Sequence, residues 1–569
     1  MNEENRYKDI YIGIDLGNTN CRVCYRNNIT KQFELLQFED EKDFIPTMLA
    51  FSKDGLKFGN DIYKCKYSDQ ISDFVRLLGK YNDKSKTIKD LINKSSLCIT
   101  SREDQKLCVE IQRYSKDQIR KFVFLPEYLC AFLLMKIKET ILNKFVNVKK
   151  IYCTFCIPSD WRDDERTALR KAVYLSEMEF DNFISTPLAV MNSMKEKDKD
   201  KYLIIDFGAK TLDTAIVSSQ SGKRQILSFY RDMFLGGDDI DYKIAKLVRN
   251  KVLECLIDEL GIEEDEAEYL IQKCPRFKKI AEEMKQQMLQ RKTLSRELRD
   301  FGIVDEDKID EMEDPEIILT YDEIIKENEE IIKKLNDSID TVLRKGRFIS
   351  SDIDKVVLVG GSCQLEFVQK TVIDKFGKEK VIIPDNGDSI QVIGTCINAN
   401  EKKMKTRKNM FDVVNSDIAC VINYCGSFTI FKAGSALKSK TEELEYTIDS
   451  TKFNVFNMLI TVDDSPQKIV EFKVPSDHYE KYLFQFDITH LPIMKITISS
   501  ESLYDYDEKG NRIKDKIGNR IHWSRTFDCL LPSDAFKKDF YHEDDLINEF
   551  ELKKNKSYFK DLFDGKIIL

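Results

Sequence analysis

Two segments of this chain repeat one short pattern, and this repeat restricts the possible folds more than any other feature. The first segment is residues 10–26 (IYIGIDLGNTNCRVCYR) and the second is residues 202–217 (YLIIDFGAKTLDTAIV). In each, a β-branched run ends at an aspartate, a glycine follows two positions later, and a threonine precedes a second apolar run. Each segment is therefore predicted to form two strands joined by a polar turn. A repeat of this kind, about 190 residues apart, predicts two homologous lobes.

The sequence outside the repeats alternates between helical and strand patterns. Residues 124–145 have a helical apolar period, residues 150–157 form an apolar run typical of a buried strand, and residues 163–176 are predicted to be a helix. Residues 239–345 are highly charged and are predicted to be mostly helical, with the charges on solvated faces. The segment VVLVGGS (356–362) predicts a strand that ends in a Gly-Gly turn before a helix. This alternation predicts the α/β class.

The composition changes near residue 400, and this change predicts the domain organisation. Residues 1–400 are predicted to form the two-lobed part, with the second lobe beginning at about residue 200. The basic, polar residues 401–410 are predicted to be a linker. Short alternating runs in residues 411–532 predict an antiparallel β domain, and residues 533–569 are predicted to be a short helical tail.

Composition and charge exclude several classes of protein. The chain has 569 residues, 42% of them apolar, which is enough for a packed core and excludes a wholly disordered chain. Its 90 basic and 99 acidic residues give a net charge of −9, which argues against a dedicated nucleic-acid binder. No uninterrupted apolar stretch approaches the roughly 18–20 residues of a membrane span, and the polar start MNEENRYKDI does not resemble a secretory signal. We therefore expect a cytoplasmic protein that binds neither nucleic acid nor membrane.

The positions of the four histidines exclude histidine chemistry from most of the chain. They are His478, His490, His522 and His542, so the first 477 residues contain no imidazole. Catalytic triads and histidine-ligated metal sites are therefore absent from that part of the sequence.

Two cysteine pairs have the CxxC spacing. They are Cys21 with Cys24, and Cys153 with Cys156. Both lie in segments with a strand pattern, where residues three apart point to opposite faces of the sheet. The favoured interpretation is that these cysteines are small buried hydrophobic residues, and zinc binding or redox activity is the alternative.

The repeated turns have residue types suited to binding a phosphorylated ligand with magnesium. Tight glycine turns direct backbone N–H groups outward, where they can bind phosphate oxygens. Asp15 and Asp206 end the first strand of each repeat and are expected to face each other across a cleft between the lobes. Two such carboxylates suit Mg²⁺, which retains most of its water ligands. The glycine turns at 236–237 and 360–362 are further candidate phosphate- or nucleoside-binding elements.

The order and spacing of these motifs resemble the actin-like ATPase superfamily and, within it, the 70-kDa heat-shock protein (DnaK-type) chaperones. The resemblance extends over about residues 10–400 and is looser over residues 411–530. It implies a two-lobed actin-like ATPase with ribonuclease-H-like lobes, followed by a smaller antiparallel β domain and a short helical tail. The motifs that carry it are GIDLGNTN (13–20), IPSDWRDDERTALRKA (157–172), IIDFGAKTLD (204–213), LGGDDID (235–241) and VVLVGGS (356–362).

The resemblance also implies a role for individual residues. Asp15 and Asp206 would orient the water ligands of Mg²⁺, and Thr211 would join them as a catalytic residue. Pro158 and Arg166 would relay the nucleotide state to the β domain. The residues that would bind ATP or ADP are Gly17, Asn18, Thr19, Gly208, Gly236, Gly237, Glu282, Lys285, Gly360, Gly361, Ser362 and Asp385.

The chain departs from the family pattern at the positions that matter most for hydrolysis. Val75 occupies the position of the family's phosphate-contacting lysine, and Thr186 that of its catalytic glutamate. Two further glycines of the second phosphate turn are Ala209 and Lys210, and the adenine-stacking arginine is Gln364. Loss of two charged groups directed at a transferring phosphoryl group would cost several kcal/mol of transition-state stabilisation, and about 1.4 kcal/mol corresponds to a tenfold change in rate. We therefore expect magnesium and nucleotide binding to survive better than turnover.

These observations give three hypotheses for the function. The first is an ATP-binding chaperone whose slow Mg-ATP hydrolysis is coupled to polypeptide binding by the β domain. Its partners would be unfolded polypeptide or one specific protein, with a J-domain co-chaperone and a nucleotide exchange factor. The second is a hydrolysis-deficient nucleotide-binding scaffold or co-chaperone-like regulator, which Val75 and Thr186 favour. The third is a small-metabolite kinase of the same superfamily, against which the C-terminal β pattern argues.

Overall fold

The computed structural model describes most of the first 403 residues and a set of strands after them. The described residues are 9–52, 55–66, 69–115, 118–194, 200–220, 223–274, 276–303, 315–403, 410–411, 418–422, 426–431, 444–449, 455–462, 465–473, 479–490, 493–504 and 522–530. The chain divides into two compact units, each of which is described by itself. Unit 1 comprises Met1–Asp198, Ser218–Ser228 and Gln391–Leu569, and unit 2 comprises Lys199–Val217 and Phe229–Ile390.

The described elements are numbered in chain order. The helices are α1 (Lys86–Asn93), α2 (Pro126–Lys144), α3 (Asp163–Leu175), α4 (Thr186–Ser193), α5 (Gly237–Asp258), α6 (Glu264–Lys273), α7 (Phe277–Gln287), α8 (Tyr321–Glu327), α9 (Glu329–Gly346), α10 (Glu366–Phe376) and α11 (Ile390–Lys403). The strands are β1 (Asp9–Leu16), β2 (Asn20–Arg26), β3 (Phe33–Leu35), β4 (Ile45–Pro46), β5 (Leu49–Ser52), β6 (Gly55–Lys57), β7 (Gln70–Ile71), β8 (Ile99–Ser101), β9 (Leu107–Ser115), β10 (Gln118–Phe124), β11 (Lys150–Ile157), β12 (Glu179–Ser185), β13 (Lys201–Phe207), β14 (Leu212–Gln220), β15 (Lys223–Asp232), β16 (Thr293–Glu297), β17 (Glu316–Thr320), β18 (Lys355–Val359), β19 (Val381–Ile382), β20 (Met410–Phe411), β21 (Ile418–Ile422), β22 (Gly426–Phe431), β23 (Leu444–Asp449), β24 (Val455–Val462), β25 (Ser465–Lys473), β26 (Tyr479–His490), β27 (Ile493–Tyr504) and β28 (His522–Leu530).

Two mixed sheets contain the repeated strand pairs. In one, the strand order is β12-β11-β1-β2-β3, with β4 paired to β2, and in the other it is β19-β18-β13-β14-β15-β20. β1 pairs in parallel with β11, and β13 pairs in parallel with β18. In both sheets the first strand of the repeat lies between its hairpin partner and a later parallel strand. The predicted repeat of a strand–turn–strand unit is therefore confirmed, and it occupies the same place in each sheet.

Strand β1 of unit 1 shows why the repeat forms the centre of a sheet. Ile10, Ile12 and Ile14 point to one face of the sheet and are buried, so this face of β1 lies in the core. Gly13 lies between them because helix α11 passes directly over it. A Cβ at Gly13 would lie 2.5 Å from the backbone nitrogen of Cys396, so only glycine allows the helix to approach this closely.

Helix α11 also packs closely on helix α4 in unit 1. A Cβ at Gly394 would lie 1.8 Å from the carbonyl oxygen of Ala189. The amide of Asn192 donates a hydrogen bond to the carbonyl oxygen of Gly394 at 3.1 Å. These contacts fix the position of α11 on the sheet that contains β1.

The C-terminal strands form two antiparallel four-stranded sheets in the described residues, with the orders β22-β21-β24-β25 and β23-β26-β27-β28.

Helix α11 extends to Lys403, so it includes the first residues of the predicted linker. Residues 404–409 of that linker lie outside the described residues, as does the predicted helical tail at 533–569.

The charged segment predicted to be mostly helical contains two strands that the prediction omitted. Helices α5 to α9 account for most of it, but β16 and β17 pair antiparallel between them. Their burial alternates, with Leu294, Ile317 and Leu319 inside.

Among the described helices, none is both long enough and apolar enough to cross a membrane.

Candidate functional site

The turn after β13 in unit 2 is closed by its own backbone. The N–H of Gly208 donates to the carbonyl oxygen of Thr211 at 3.0 Å. The hydroxyl of Thr211 lies 3.2 Å from Oδ2 of Asp213, with which it forms a hydrogen bond. Asp213 in turn pairs with Arg231 at 3.4 Å. The side chain of Thr211 is therefore held by a charged neighbour on its own hairpin.

The two glycines at the start of α5, Gly236 and Gly237, lie directly on this turn. The N–H of Gly237 donates to the carbonyl oxygen of Gly208 at 3.0 Å, and that of Asp238 donates to the carbonyl oxygen of Ala209 at 2.8 Å. A Cβ at Gly236 would lie 2.2 Å from the carbonyl oxygen of Ala209. The carboxylate of Asp239 accepts from the Gly236 N–H at 2.7 Å, which satisfies one of the unpaired donors at the helix start.

The turn after β18 reaches the same place because β18 lies parallel to β13. Residues Asp206 and Val359 are register partners at the ends of these strands. Gly360 has a φ of +86°, and a Cβ there would lie 2.7 Å from Oδ1 of Asp206. The hydroxyl of Ser362 donates to the carbonyl oxygen of Gly208 at 3.1 Å. Unit 2 thus brings Asp206 and three glycine turns from distant parts of its sequence together, and we call this group the glycine corner.

A buried ion pair lies beside the glycine corner. The ammonium group of Lys285 on α7 donates to Oδ2 of Asp241 at 2.6 Å and to the carbonyl oxygen of Gly237 at 3.3 Å. The Asp241 side chain is only 5% exposed, and burial raises its pKa to about 6 although the Lys285 charge opposes the shift. Its other oxygen, Oδ1, is buried with no hydrogen-bond partner among the described residues. This carboxyl group is therefore costly to ionise where it lies.

Substitution of Asp241 by asparagine tests whether burial makes this carboxyl group costly to ionise. The pKa of about 6 in the folded protein lies above the ordinary value of 3.8, so between these values the folded chain holds a proton that the unfolded chain has lost. The contribution of Asp241 to the free energy of unfolding is therefore greatest below pH 4. It falls by about 3 kcal/mol as the pH rises through 6. Urea unfolding of the wild type and Asp241→Asn between pH 4 and pH 7 measures the difference, and a constant difference would contradict the burial argument.

Two predicted nucleotide-binding residues of unit 2, Glu282 and Asp385, are exposed. Lys210, which stands at a family glycine position in the turn after β13, pairs with Asp238 at 3.2 Å. Glu282 is exposed on α7, and Asp385 is exposed in the loop after β19. That loop contacts the glycine corner through Gly387, whose carbonyl oxygen accepts from the Gly360 N–H at 2.8 Å.

The turn after β1 in unit 1 carries the first predicted phosphate motif. A Cβ at Gly17 would lie 2.6 Å from the carbonyl oxygen of Asn20, which explains the glycine. Asn18 is half-buried and Thr19 is exposed. The carbonyl oxygen of Thr19 accepts from the N–H of Thr47 at 2.7 Å, so the turn is anchored to the bend between β4 and β5.

Asp15 at the end of β1 has a partner that the sequence did not indicate. The side-chain amide of Gln391 donates to Oδ2 of Asp15 at 3.1 Å. The two residues are 376 positions apart, and no local pattern marks Gln391. Only the packing of α11 on the sheet brings the amide to the carboxylate.

The two positions at which the family's charged catalytic residues are missing are both occupied by groups with local structural roles. The hydroxyl of Thr186 donates to the carbonyl oxygen of Ile157 at 3.2 Å and accepts from the thiol of Cys156 at 3.4 Å. Val75 is 5% exposed in the 3₁₀ helix Phe74–Leu77. The structure therefore supplies neither a carboxylate nor an ammonium group at these two positions.

Pro158 and Arg166 lie on either side of the start of α3. Pro158 follows β11, and its carbonyl oxygen accepts from the N–H of Trp161 at 3.3 Å. Arg166 is in the first turn of α3, next to Glu165, whose carboxylate pairs with Lys80 at 2.5 Å. The structure gives their positions, and their relay role stays a prediction.

The CxxC cysteines fit the favoured interpretation. Cys21, Cys24 and Cys153 are fully buried, and Cys156 is 6% exposed. Burial raises the pKa of the Cys21 and Cys153 thiols well above the usual range. In the part of the chain that the structure describes, no group of three or more histidine, cysteine, aspartate or glutamate side chains is placed to hold a metal ion.

Comparison with known proteins identifies the family. A family model described as Hsp70 protein matches residues 11–448, which is well over half of the chain. The chain therefore belongs to the Hsp70 protein family.

Individual relatives are distant. The chain is 25% identical over 398 residues to the chaperone protein DnaK of Ureaplasma parvum serovar 3, an alignment that covers 68% of this chain and 58% of the relative. The DnaK of Ureaplasma urealyticum serovar 10 matches with the same identity and coverage. The chain thus spans 58% of the length of the curated relatives it matches.

Proposed function

We propose that this protein is a nucleotide-binding chaperone that takes ATP or ADP with Mg²⁺ and couples the bound nucleotide to polypeptide binding. The observation that carries the proposal is the glycine corner of unit 2. Three glycine turns from separate parts of the sequence meet there against the end of the strand that carries Asp206. Membership of the Hsp70 family and the matching strand orders of the two mixed sheets support a two-lobed actin-like fold with ribonuclease-H-like lobes.

The residues of the glycine corner suit a phosphorylated ligand. Gly208 and Gly361 carry no side chain where a ligand would approach, and a Cβ at Gly361 would meet nothing within 4 Å. Backbone N–H groups at the start of a helix attract anions, and α5 begins at Gly237 within this corner. Lys285 adds an ammonium group beside the same helix start. Gly236, Gly237, Gly360 and Ser362 would hold the nucleotide there together with Lys285.

The carboxylates of the proposed site also suit magnesium. Asp15 and Asp206 offer carboxylate oxygens, the ligand type that Mg²⁺ prefers, and the ion needs only sparse protein contacts because it keeps several waters. Asp15 is half-buried and accepts a hydrogen bond from the Gln391 amide, which is neutral and adds no positive charge beside the carboxylate. When bound, the ion would offset the charge of the phosphates. That both carboxylates act on one ion stays a prediction.

Hydrolysis is proposed to be slow at best. Thr186 cannot act as a general base, and its hydroxyl already donates to the carbonyl oxygen of Ile157. Val75 is apolar and buried. These observations favour the second candidate function, a nucleotide-binding scaffold or co-chaperone-like regulator that does not turn ATP over.

The partners are part of the proposal. The chaperone role would require unfolded polypeptide, or one specific protein, at the C-terminal strands. It would also involve a J-domain co-chaperone and a nucleotide exchange factor, as the family resemblance implies. A cytoplasmic location is proposed on the same basis.

Calorimetric binding of ADP tests the nucleotide site directly. We expect the wild type to bind ADP more tightly with Mg²⁺ than with a chelator. Asp206→Asn should lower the affinity for ADP with Mg²⁺ by about tenfold, which equals about 1.4 kcal/mol, because one carboxylate charge is lost. Asp374→Asn is the matched control, since Asp374 is exposed on α10 of the same unit. Absence of ADP binding by the wild type would refute the proposed function.

A further inference from the structure

Gln391 makes the hydrogen bond to Asp15 from a buried and well-anchored position. It is the second residue of α11 and is 7% exposed. Its own carbonyl oxygen accepts from the hydroxyl of Thr395 one turn later at 2.7 Å. The amide reaches Oδ2 of Asp15 at 3.1 Å. This contact therefore joins the start of α11 to the carboxyl end of β1 within unit 1.

Further contacts along the same helix hold α11 on the sheet. Near the other end of α11, the amide of Asn400 donates to the carbonyl oxygen of Tyr11 on β1 at 3.4 Å and to that of Cys396 at 2.9 Å. The absence of side chains at Gly13 and Gly394 lets the helix backbone lie directly against its neighbours. The backbone contacts at Gly13 and Gly394 hold the first turn of α11 beside Asp15, and the Asn400 contact lies near the far end of the helix.

The chemistry of the amide suits a carboxylate that must bind a hydrated cation. A lysine or arginine here would offset the charge of Asp15 and compete with the cation. A glutamine donates one N–H, adds no charge, and restricts the orientation of the carboxylate. The contact of the amide with Oδ2 therefore restricts how the carboxylate can present its oxygens to metal-bound water.

We propose that Gln391 is a positioning residue that orients Asp15 toward hydrated magnesium. This inference rests on the proposed nucleotide function and concerns the same site. Gln391 acts through Asp15 and does not contact the nucleotide. Its effect should therefore appear in the magnesium-dependent part of the nucleotide affinity alone.

The test compares ADP affinity with Mg²⁺ and with a chelator, measured by calorimetry on the full chain. Gln391→Met keeps the size of the side chain and removes the donor. The measured ratio is the dissociation constant of ADP in chelator divided by that with Mg²⁺. We expect this ratio to fall by about tenfold, as for loss of a hydrogen bond to a charged group, while the dissociation constant in chelator is unchanged. In an Asp15→Asn background the same substitution should have no further effect on the ratio.

Asn400→Leu is the matched control because it removes an amide that ties the same helix to the same strand without touching Asp15. It should leave the ratio unchanged, and melting temperatures of all variants verify folding. An unchanged ratio in Gln391→Met would overturn the inference while the nucleotide function stands. Equal losses of ADP affinity with Mg²⁺ and with chelator would also overturn the inference, because they indicate a purely structural role for Gln391. Failure of the wild type to bind ADP would instead refute the proposed function.

Discussion

Gly236→Ala is expected to lower the free energy of unfolding of unit 2 by about 3 kcal/mol and to abolish tight ADP binding. The added methyl group would lie 2.2 Å from the carbonyl oxygen of Ala209 and 2.4 Å from the Cα of Lys210. Both are backbone atoms, so no side-chain rotation relieves the clash, and overpacking of this kind costs about 1–3 kcal/mol or more. The turn after β13 must therefore move away from the start of α5.

The movement has a specific signature in hydrogen exchange. The N–H groups of Gly237 and Asp238 donate to the carbonyl oxygens of Gly208 and Ala209, and both amides should lose protection in Gly236→Ala. Urea unfolding gives the change in stability, and calorimetry gives the change in ADP affinity.

Gly361→Ala is the control within the same group of turns. A Cβ at Gly361 meets nothing within 4 Å, so the substitution should leave the stability and the two protected amides unchanged. A destabilisation equal to that of Gly236→Ala would show that backbone contact is not what requires glycine at position 236.

The hairpins and the glycine motifs were predictable because their signals are local. An apolar run that ends at an aspartate and a glycine specifies both a strand and its turn, and β1, β2, β13 and β14 lie where that pattern placed them. The buried strand 150–157 was predicted with its observed bounds for the same reason, since a short apolar run is bounded by charge and proline.

The elements that were missed depend on tertiary contacts or on weak local patterns. The pair β16 and β17 lies within a charged segment whose neighbours are helical, and each strand has only five residues, so its alternation did not stand out. No pattern in its own helix marks Gln391, and the residue to which it donates a hydrogen bond, Asp15, lies on a strand 376 positions earlier. Asp241 was predicted only as part of a glycine motif, because burial against α7 is not visible from its neighbours in sequence.

Conversely, the sequence indicated what the site lacks. Val75 and Thr186 stood out only against the family pattern, and the structure shows what each does instead. Thr186 joins the ends of β11 and α4 through Ile157 and Cys156. Cys156 is the register partner of Asp15 in the parallel pair of β1 and β11. Position 186 is therefore close in unit 1 to the strand end that carries Asp15, which is where a general base would be useful.

Restoring both charged groups is expected to raise ATP turnover by about 100-fold. In Val75→Lys combined with Thr186→Glu, the new carboxylate would lie at the edge of the sheet that carries Asp15. A positioned general base contributes about 10²-fold or more to a rate. The ammonium group would add charge stabilisation if position 75 corresponds to the family lysine. Steady-state phosphate release by the purified full chain, with Mg²⁺ and ATP, measures the rate.

Val75→Met with Thr186→Gln separates charge from shape, because it places similar side chains at both positions without a carboxylate or an ammonium group. This variant should turn over ATP no faster than the wild type. Since Val75 is buried, the melting temperatures of both double variants must show that they are folded. A folded Lys–Glu variant that binds ADP but gains no turnover would mean that these positions are not the vacated catalytic ones. The chain would then lack hydrolysis for a reason other than two missing charges.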